Sequence, residues 1–305
     1  MNIIEVENLT KAYGKNVAVN DISFSIAEGE IFGMLGPNGA GKTTTIECIT
    51  GLKNHDKGRI DVMGISPSKE RKALYDKIGV QLQETSFQPK IKVNELCRLF
   101  TSFYKDPYPY NELIIRFGLE EKRDSYVQNL SGGQRQKLSI ILALISNPEI
   151  VFLDELTTGL DPSARRSMWA YVKALKEEGR TVFMTTHYME EAEYLCDRVC
   201  IINSGKIAAL DTVENIVSSS GIETEITFDS PEDISDSLKN GVQGLSKVIR
   251  NGNRNFAYSL EDRALGKLVY WLETNNINYR NLNLKRPTLD DTFLKLTGRK
   301  IEEAI

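Results

Sequence analysis

A glycine-rich stretch near the N-terminus constrains the fold of this chain more than any other feature. Residues 36–43 read GPNGAGKT and match the phosphate-loop pattern G-x-x-x-x-G-K-[ST] at every fixed position. The apolar run 31–35 predicts a buried strand, and residues 43–50 predict a helix that ends at Gly51. Strand, glycine loop and helix in this order predict an α/β fold with a phosphate-binding loop.

The loop residues have the chemistry that a nucleotide triphosphate requires. Backbone N–H groups can contact phosphate oxygens, and glycines allow the close approach. Lys42 places a positive charge on the β- and γ-phosphates, and the Thr43 hydroxyl is an oxygen ligand of the kind that Mg²⁺ prefers. The residues that we expect to contact the nucleotide here are Gly36, Asn38, Gly39, Ala40, Gly41, Lys42, Thr43 and Thr44.

An acid pair follows a second apolar strand at residues 150–153. Asp154, at the end of that strand, is predicted to hold Mg²⁺, usually through water. The adjacent Glu155 points elsewhere and is predicted to act as a general base, or as a positioning group, for an attacking water. Positioned proton transfer accelerates a reaction by about 10²–10⁴-fold.

A second pattern suited to anions lies far downstream. Residues 130–134 read LSGGQ and open a predicted helix, which Ser131 caps. Glycine amides and a helix N-terminus can bind an anion. A second phosphate site in one chain makes sense if it completes the site of another subunit, and a capped helix without a ligand is the alternative.

The phosphate loop, the acid pair and LSGGQ together resemble the nucleotide-binding subunit of the ATP-binding-cassette (ABC) family over about residues 1–215. The resemblance implies a phosphate-loop, RecA-like ATPase core with antiparallel β and helical subdomains, the latter at about residues 88–146. It also implies ATP and Mg²⁺ as ligands. A phosphate-loop kinase or GTPase is disfavoured by the LSGGQ sequence.

The resemblance also implies roles for single residues. Tyr13 matches the aromatic residue that stacks on adenine, and His187 matches the histidine that contacts the γ-phosphate and orders the water. Gln83 matches the glutamine that senses Mg²⁺ and the water, although Gln81 lies close enough to leave the register ambiguous. Asp161 matches the loop that communicates across a dimer.

In that family two subunits enclose two ATP molecules, each between the phosphate loop of one subunit and the signature of the other. The signature residues here are Ser131, Gly132, Gly133 and Gln134. The implied partners are a second copy or a related cassette, and an integral membrane permease that docks near residues 87–96. One departure is Leu156, where the family commonly has proline. We expect it to loosen the loop slightly without removing a catalytic atom.

Residues 216–305 predict a small α/β domain of ferredoxin-like type. Strands are expected at 223–228, 255–260 and 277–284, with helices between them and a linker at 218–221. Residues 287–299 resemble the tail of the ABC subfamily that serves drug, antibiotic and lipid exporters. The resemblance therefore favours export over import.

Composition narrows the remaining classes. The formal charge of −4 and pI near 5.5 argue against a nucleic-acid partner. We find no apolar run near the ~20 residues of a membrane span and no secretory signal, so any pore belongs to another polypeptide. Four scattered cysteines and no matching histidine pattern disfavour zinc. The expected location is cytoplasmic, peripheral on the inner face of the cell membrane. The alternatives are a soluble ABC ATPase and an importer ATPase.

Overall fold

The computed structural model describes residues 1–82, 87–88 and 90–298. Gln83 lies outside these residues, so its predicted role is not addressed by the structure. The described chain forms two compact units, Met1–Val213 and Glu214–Gly298. The expected boundary lay at residues 215 and 216.

The first unit contains nine strands and seven α-helices among its described residues, and an eighth α-helix begins at its last residue. The strands are β1 (Asn2–Tyr13), β2 (Asn16–Ala27), β3 (Ile31–Leu35), β4 (Lys57–Val62), β5 (Ile78–Gln81), β6 (Ile150–Asp154), β7 (Thr181–Thr186), β8 (Arg198–Asn203) and β9 (Lys206–Asp211). The helices are α1 (Lys42–Ile49), α2 (Arg71–Tyr75), α3 (Val93–Thr101), α4 (Tyr110–Arg116), α5 (Gly132–Leu144), α6 (Pro162–Glu177), α7 (Met189–Leu195) and α8 (Val213–Ser219).

A six-stranded sheet in the order β5-β6-β7-β3-β8-β9 forms the centre of this unit. Its strands are parallel except for β9, which pairs antiparallel with β8. Strands β3, β6 and β7 are buried along their whole length, as their continuous apolar runs predict. The carboxyl ends of these three strands meet at one edge, which brings the phosphate loop, the acid pair and His187 together.

A three-stranded antiparallel sheet, β2-β1-β4, packs on the central sheet. Apolar and polar residues alternate in residues 21–26 of β2, a pattern that predicts a strand with one buried face, and Ile22, Phe24 and Ile26 point inward and are buried. Phe24 stacks on Phe32 of the central sheet with ring centroids 5.5 Å apart. The core of this part therefore lies between the two sheets.

Helices α3, α4 and α5 form the helical subdomain. Helix α3 ends at Thr101, where hydrogen bonds from the Ser102 and Phe103 amides to carbonyls three residues back tighten the last turn. The predicted cap of α5 is confirmed. Ser131 Oγ accepts from the Gln134 amide at 3.3 Å, and Gln134 Oε1 accepts from the Ser131 amide at 2.9 Å.

The second unit is a ferredoxin-like βαββαβ domain followed by a helix. Its elements are β10 (Thr224–Asp229), α9 (Ser235–Gly241), β11 (Leu245–Asn251), β12 (Arg254–Ser259), α10 (Ala264–Thr274), β13 (Arg280–Lys285) and α11 (Leu289–Thr297). The antiparallel sheet has the order β11-β12-β10-β13. The predicted fold class, an ABC ATPase core with a small α/β domain, is confirmed.

Two details of this region differ from the sequence-based expectation. Strand β11 was missed, because only Leu245 and Val248 of this edge strand pack against the core and its apolar pattern is weak. The expected linker at 218–221 is wrong in its first half, which is helical. There the Ser218 and Ser219 hydroxyls donate to carbonyls three residues earlier.

Candidate functional site

The phosphate loop connects β3 to α1 and is closely packed. Gly41 has φ +110°, and a Cβ at this position would lie 2.4 Å from the Ala18 carbonyl oxygen. The loop therefore requires glycine here. Helix α1 begins directly after it and has no acidic residue in its first turn. Its N-terminal N–H groups remain available for an anion.

A cavity of about 370 Å³ opens over this loop. Its lining residues are Tyr13, Asn16, Ala18, Asn38, Gly39, Gly41, Lys42, Thr43, Thr44 and Glu155. Two predicted contact residues, Gly36 and Ala40, lie behind the lining instead. Gly36 accepts a hydrogen bond from Lys42, and Ala40 accepts one from the Gly205 amide. They support the loop from the protein side.

Lys42 is buried at the floor of this cavity. Its Nζ donates to the Gly36 carbonyl at 2.8 Å and to the Pro37 carbonyl at 3.2 Å. Its third contact is an ion pair with Glu155 Oε1 at 3.0 Å. The ammonium is thus fixed where the glycine loop and the acid pair meet, which is the place for a group that neutralises phosphate charge.

Glu155 is held by a strained backbone and by two basic side chains. Its φ is +49°, and its amide donates to the Thr185 carbonyl at 3.2 Å and to Thr185 Oγ1 at 3.1 Å. Its Oε2 lies 3.4 Å from His187 Nδ1. Burial raises the pKa of this carboxyl, but His187 and Lys42 outweigh burial and bring the pKa down to about 2. The carboxylate is therefore ionised at neutral pH, as a base must be.

Leu156 anchors the loop that follows Glu155. Its side chain is buried in the apolar cluster that also contains Leu153 and Met168. Packing in this core holds the backbone at the position where the family commonly has a proline ring. The slight loosening of the loop that the sequence suggests stays a prediction.

Asp154 combines with Thr43 to offer oxygen ligands. Thr185 Oγ1 donates to Asp154 Oδ1, and the buried Oδ2 makes no hydrogen bond of normal geometry with the described residues. Burial raises the pKa of Asp154, while the Thr185 and Thr43 hydroxyls lower it. A carboxylate oxygen without a partner beside a threonine hydroxyl fits Mg²⁺. Among the described residues, no three acids, histidines or cysteines are placed to hold a metal ion together, so phosphate and water oxygens would have to complete the coordination.

Tyr13 presents an exposed aromatic face on the wall of this cavity. It ends β1, and the ammonium groups of Lys11 and Lys53 lie 5.5 and 5.2 Å from its ring centroid. Gln81, the alternative to Gln83 in the sequence, is buried and donates to the Leu82 carbonyl at 2.7 Å. It lines a separate apolar groove and not the phosphate-loop cavity.

The signature residues Ser131, Gly132, Gly133 and Gln134 line a second cavity of about 550 Å³. Asp161 lies in this cavity too, where its Oδ1 accepts from the Ser163 and Ala164 amides at 3.0 Å and caps α6. The two cavities share no lining residue. The structure therefore brings Tyr13, the phosphate loop, the acid pair and His187 together, and it places the signature and Asp161 elsewhere.

Thr185 is a residue that the sequence analysis overlooked. Its side chain contacts both acids of the pair, and its carbonyl also accepts from Glu155. The signal was the pair Thr185-Thr186 at the end of an otherwise apolar buried strand, because a buried hydroxyl needs a hydrogen-bond partner. A spacing pattern alone does not reveal such a residue.

A glycine loop with a buried lysine, an acid pair at the end of the neighbouring strand and a separate LSGGQ helix define a phosphate-loop ATPase. The chain belongs to the ABC transporter family, as an ATP-binding and ATP-hydrolysing subunit. The family model described as ABC transporter matches residues 19–158. The Linearmycin resistance ATP-binding protein LnrL of Bacillus subtilis (strain 168) is 35% identical over 316 residues, covering 99% of this chain and 100% of the relative.

A second relative and a solved structure agree with this family. The Nod factor export ATP-binding protein I of Burkholderia orbicola (strain AU 1054) is 35% identical over 307 residues, covering 98% of each chain. A dimeric ATP-binding cassette in a post-hydrolysis state with ADP and Pi is 27% identical, with a TM-score of 0.63. That likeness covers 68% of this chain and 98% of the cassette.

Proposed function

We propose that two copies of this chain, or one copy and a related cassette, close around two ATP molecules and thereby drive export through a separate membrane permease. The observation that carries the proposal is the separation of the two cavities. Each holds half of the groups that a nucleotide needs, and no described residue lines both. A symmetric dimer can place the signature cavity of one subunit over the phosphate loop of the other. The similar cassette of known structure is a dimer.

In this proposal the residues of the phosphate-loop cavity hold the nucleotide. Tyr13 stacks on the base, and the loop amides, with Lys42, hold the phosphates. Thr43 and Asp154 are placed to hold Mg²⁺, which supplies positive charge to the phosphate oxygens when it is bound. The role of Gln83 at the metal stays a prediction, because this residue lies outside the described part of the chain.

Glu155 and His187 carry the chemistry in this proposal. Glu155 accepts a proton from the attacking water, and His187 orders that water and contacts the γ-phosphate. In the structure Lys42 is paired with Glu155. Phosphate oxygens compete for the same ammonium, so nucleotide binding weakens this pair and frees Glu155 Oε1 for water. Nucleotide binding thus makes the Glu155 carboxylate available as the base.

The proposed permease contact is the apolar groove beside the helical subdomain. Phe87, Phe100 and Tyr104 line this groove, whose volume is about 270 Å³. On α3, Leu99 is 46% exposed, and Phe103, just after it, is 65% exposed. Exposed apolar side chains next to an apolar groove suit a protein partner. No helix in the described part of the chain is long and apolar enough to cross a membrane.

Export as the direction is supported by the relatives and by the C-terminal segment. One relative is named for linearmycin resistance and another for Nod factor export. The segment 287–299, which resembles the tail of exporter subunits, contains the cap of α11. There Thr288 Oγ1 accepts from the Asp291 amide at 3.2 Å, and Asp291 accepts from the Thr288 amide at 3.0 Å. We propose a structural or dimer-stabilising role for the C-terminal domain.

A pull-down tests this proposal. Tagged Glu155→Gln chain is incubated with ATP and detergent-solubilised native membranes, and captured proteins are identified by mass spectrometry. Recovery of one multi-span membrane protein, lost in the Lys42→Ala chain, is the expected result. Recovery of ribosomal or DNA-bound proteins without a membrane protein would overturn the proposal in favour of a soluble ATPase. A captured permease accompanied by a substrate-binding protein would indicate import.

A further inference from the structure

Three side-chain pairs join α6 to α7 directly beside His187. Three side chains spaced four residues apart on α6 contact three side chains spaced three apart at α7. The pairs are Arg165 with Tyr188, Trp169 with Glu191, and Lys173 with Tyr194. Residues at these spacings share one face of each helix. We name these three pairs the α6–α7 ladder.

The first pair of the ladder includes Tyr188, the residue that follows His187 in the chain. The Arg165 guanidinium lies 3.9 Å from the Tyr188 ring centroid, and that ring lies 4.1 Å from the His187 ring. Arg165 Nε is buried and has no hydrogen-bond partner among the described residues. Stacking on the Tyr188 ring is therefore the contact that fixes the Arg165 guanidinium beside α7. The Arg165 side chain in turn forms one wall for the Tyr188 ring.

The second pair joins the two helices through a buried carboxyl. Glu191 is 1% exposed, and its Oε1 accepts from Trp169 Nε1 at 2.9 Å. Burial raises the pKa of Glu191, while the Thr186 and Thr157 hydroxyls, Trp169 and the charge of Arg165 lower it. Thr157 follows Glu155 by two residues, and Thr186 directly precedes His187. The buried Glu191 carboxyl thus joins Trp169 of α6 to α7, the helix that begins two residues after His187.

We infer that Arg165 and Glu191 are positioning residues that hold the His187 ring against the Glu155 carboxylate. Arg165 acts by stacking on Tyr188, and Glu191 acts by its hydrogen bond to Trp169, which fixes α7 beside His187. The Tyr188 amide donates to Thr186 Oγ1 at 2.9 Å, which fixes the turn that carries His187. The resulting separation between His187 Nδ1 and Glu155 Oε2 is 3.4 Å. The third pair, Lys173 with Tyr194, lies further along both helices and serves as a matched control. The inference rests on the proposed function only for its turnover measurement.

The test uses the full chain labelled with ¹³C-histidine. The chain has two histidines, His55 and His187, so two ring Cε1–H resonances are expected and His187→Asn assigns them. In Arg165→Leu we expect the His187 resonance to move or broaden while that of His55 stays in place. We also expect kcat for ATP to fall about 10-fold or more, with KM within about twofold, since small misplacements cost up to ~100-fold. Glu191→Gln is expected to change the same two readouts.

Two further variants sharpen the result. Lys173→Leu removes the third pair and is expected to leave both the His187 resonance and kcat unchanged. Tyr188→Phe keeps the ring and is expected to retain more of kcat than Tyr188→Leu. If Arg165→Leu does not fold by circular dichroism, the pair of Tyr188 variants replaces it as the deciding measurement.

The inference is overturned if Arg165→Leu leaves the His187 resonance and kcat unchanged. It is also overturned if Lys173→Leu lowers kcat as much as Arg165→Leu does, because the ladder would then act only through general helix packing. A wild-type chain that hydrolyses no ATP would contradict the proposed function instead. In that case the resonance comparison would still decide whether Arg165 positions His187.

Discussion

Among the single residues of the site, Glu155 is the one on which several contacts converge. Lys42 pairs with one oxygen of its carboxylate and His187 with the other. The same contacts that keep the group ionised also occupy it. In the function that we propose, phosphate oxygens compete for Lys42 and thereby release the Glu155 carboxylate for the attacking water. This arrangement bears on two properties of the side chain: its part in turnover, and its effect on the pH dependence of stability.

The first property, the part of Glu155 in turnover, is tested by replacing its carboxylate with an amide. Glu155→Gln keeps the shape of the side chain and removes its ability to accept a proton. We expect ATP binding to persist and turnover to fall by about 10²–10⁴-fold. Equilibrium binding of a fluorescent ATP analogue and single-turnover phosphate release measure the two quantities. Glu149→Gln, in an exposed ion pair with Lys77, makes the same chemical change at the surface and is expected to leave turnover unchanged. Unimpaired turnover in Glu155→Gln would remove the general-base assignment.

The second concerns stability against pH without nucleotide. The pKa of Glu155 falls from an ordinary 4.5 to about 2 on folding. Its contribution to the free energy of unfolding is therefore fully present above pH 4.5 and is lost as pH falls toward about 2. Urea unfolding over this range should show a steeper loss of stability for wild type than for Glu155→Gln. Parallel curves for the two chains would contradict the pairing.

The signature loop is an element whose conformation comes from its own residues. The reciprocal hydrogen bonds of Ser131 and Gln134 start α5, so the helix needs no ligand to begin. Neither Gly132 nor Gly133 has a positive φ, and a Cβ on Gly132 would meet nothing within 4 Å. The fold therefore does not explain the glycine at 132. We propose that the close approach of a ligand explains it.

A substitution that the fold tolerates tests this explanation. In Gly132→Ala we expect the free energy of unfolding to rise by about 0.5 kcal/mol, because alanine favours the helix. We expect ATP hydrolysis to fall at least about 10-fold, because the methyl group fills the space that an approaching phosphate needs. Gly266→Ala in α10, where a Cβ also meets nothing within 4 Å, should give the stability gain alone. Equal hydrolysis in both variants would indicate a signature cavity without a nucleotide.

At the scale of the whole molecule, the proposed dimer joins two cavities that share no lining residue within one chain. Lys42→Ala spoils the phosphate-loop cavity of its own chain and leaves the signature cavity intact. Gly132→Ala does the opposite. In a dimer that joins the two cavities, each variant alone has two defective sites, whereas a mixed dimer has one site with both halves intact.

Mixing the two variants therefore restores activity in the proposed assembly. We expect either variant alone to be nearly inactive, and a 1:1 mixture to regain about a quarter of wild-type turnover if half of the dimers are mixed and their sites are independent. Analytical ultracentrifugation of Glu155→Gln with and without ATP should show dimer and monomer, respectively. A mixture that is no more active than the mean of its components would contradict a shared site.

Most of the helices and strands could be predicted from the sequence. The wrong predictions concern segments whose structure depends on packing against residues far away in the chain. The strand before the phosphate loop, the period-two strand at residues 21–26 and the cap at Ser131 all follow from neighbouring residues. Strand β11 was missed because its place at a sheet edge, and not its composition, makes it a strand. Serine suits both a loop and a helix end, so the prediction of a linker at Ser218 and Ser219 is wrong.

For the site, the sequence by itself determined which chemical groups are present: the phosphate loop, the acid pair and the signature are recognisable because each works through residues adjacent in the chain. Only the tertiary structure decided their grouping. It paired Lys42 with Glu155, set His187 and Thr185 around the acids, and placed Asp161 with the signature in a separate cavity. These contacts join residues far apart in sequence. They arise when parallel strands align their carboxyl ends and helices pack beside them, which no local pattern encodes.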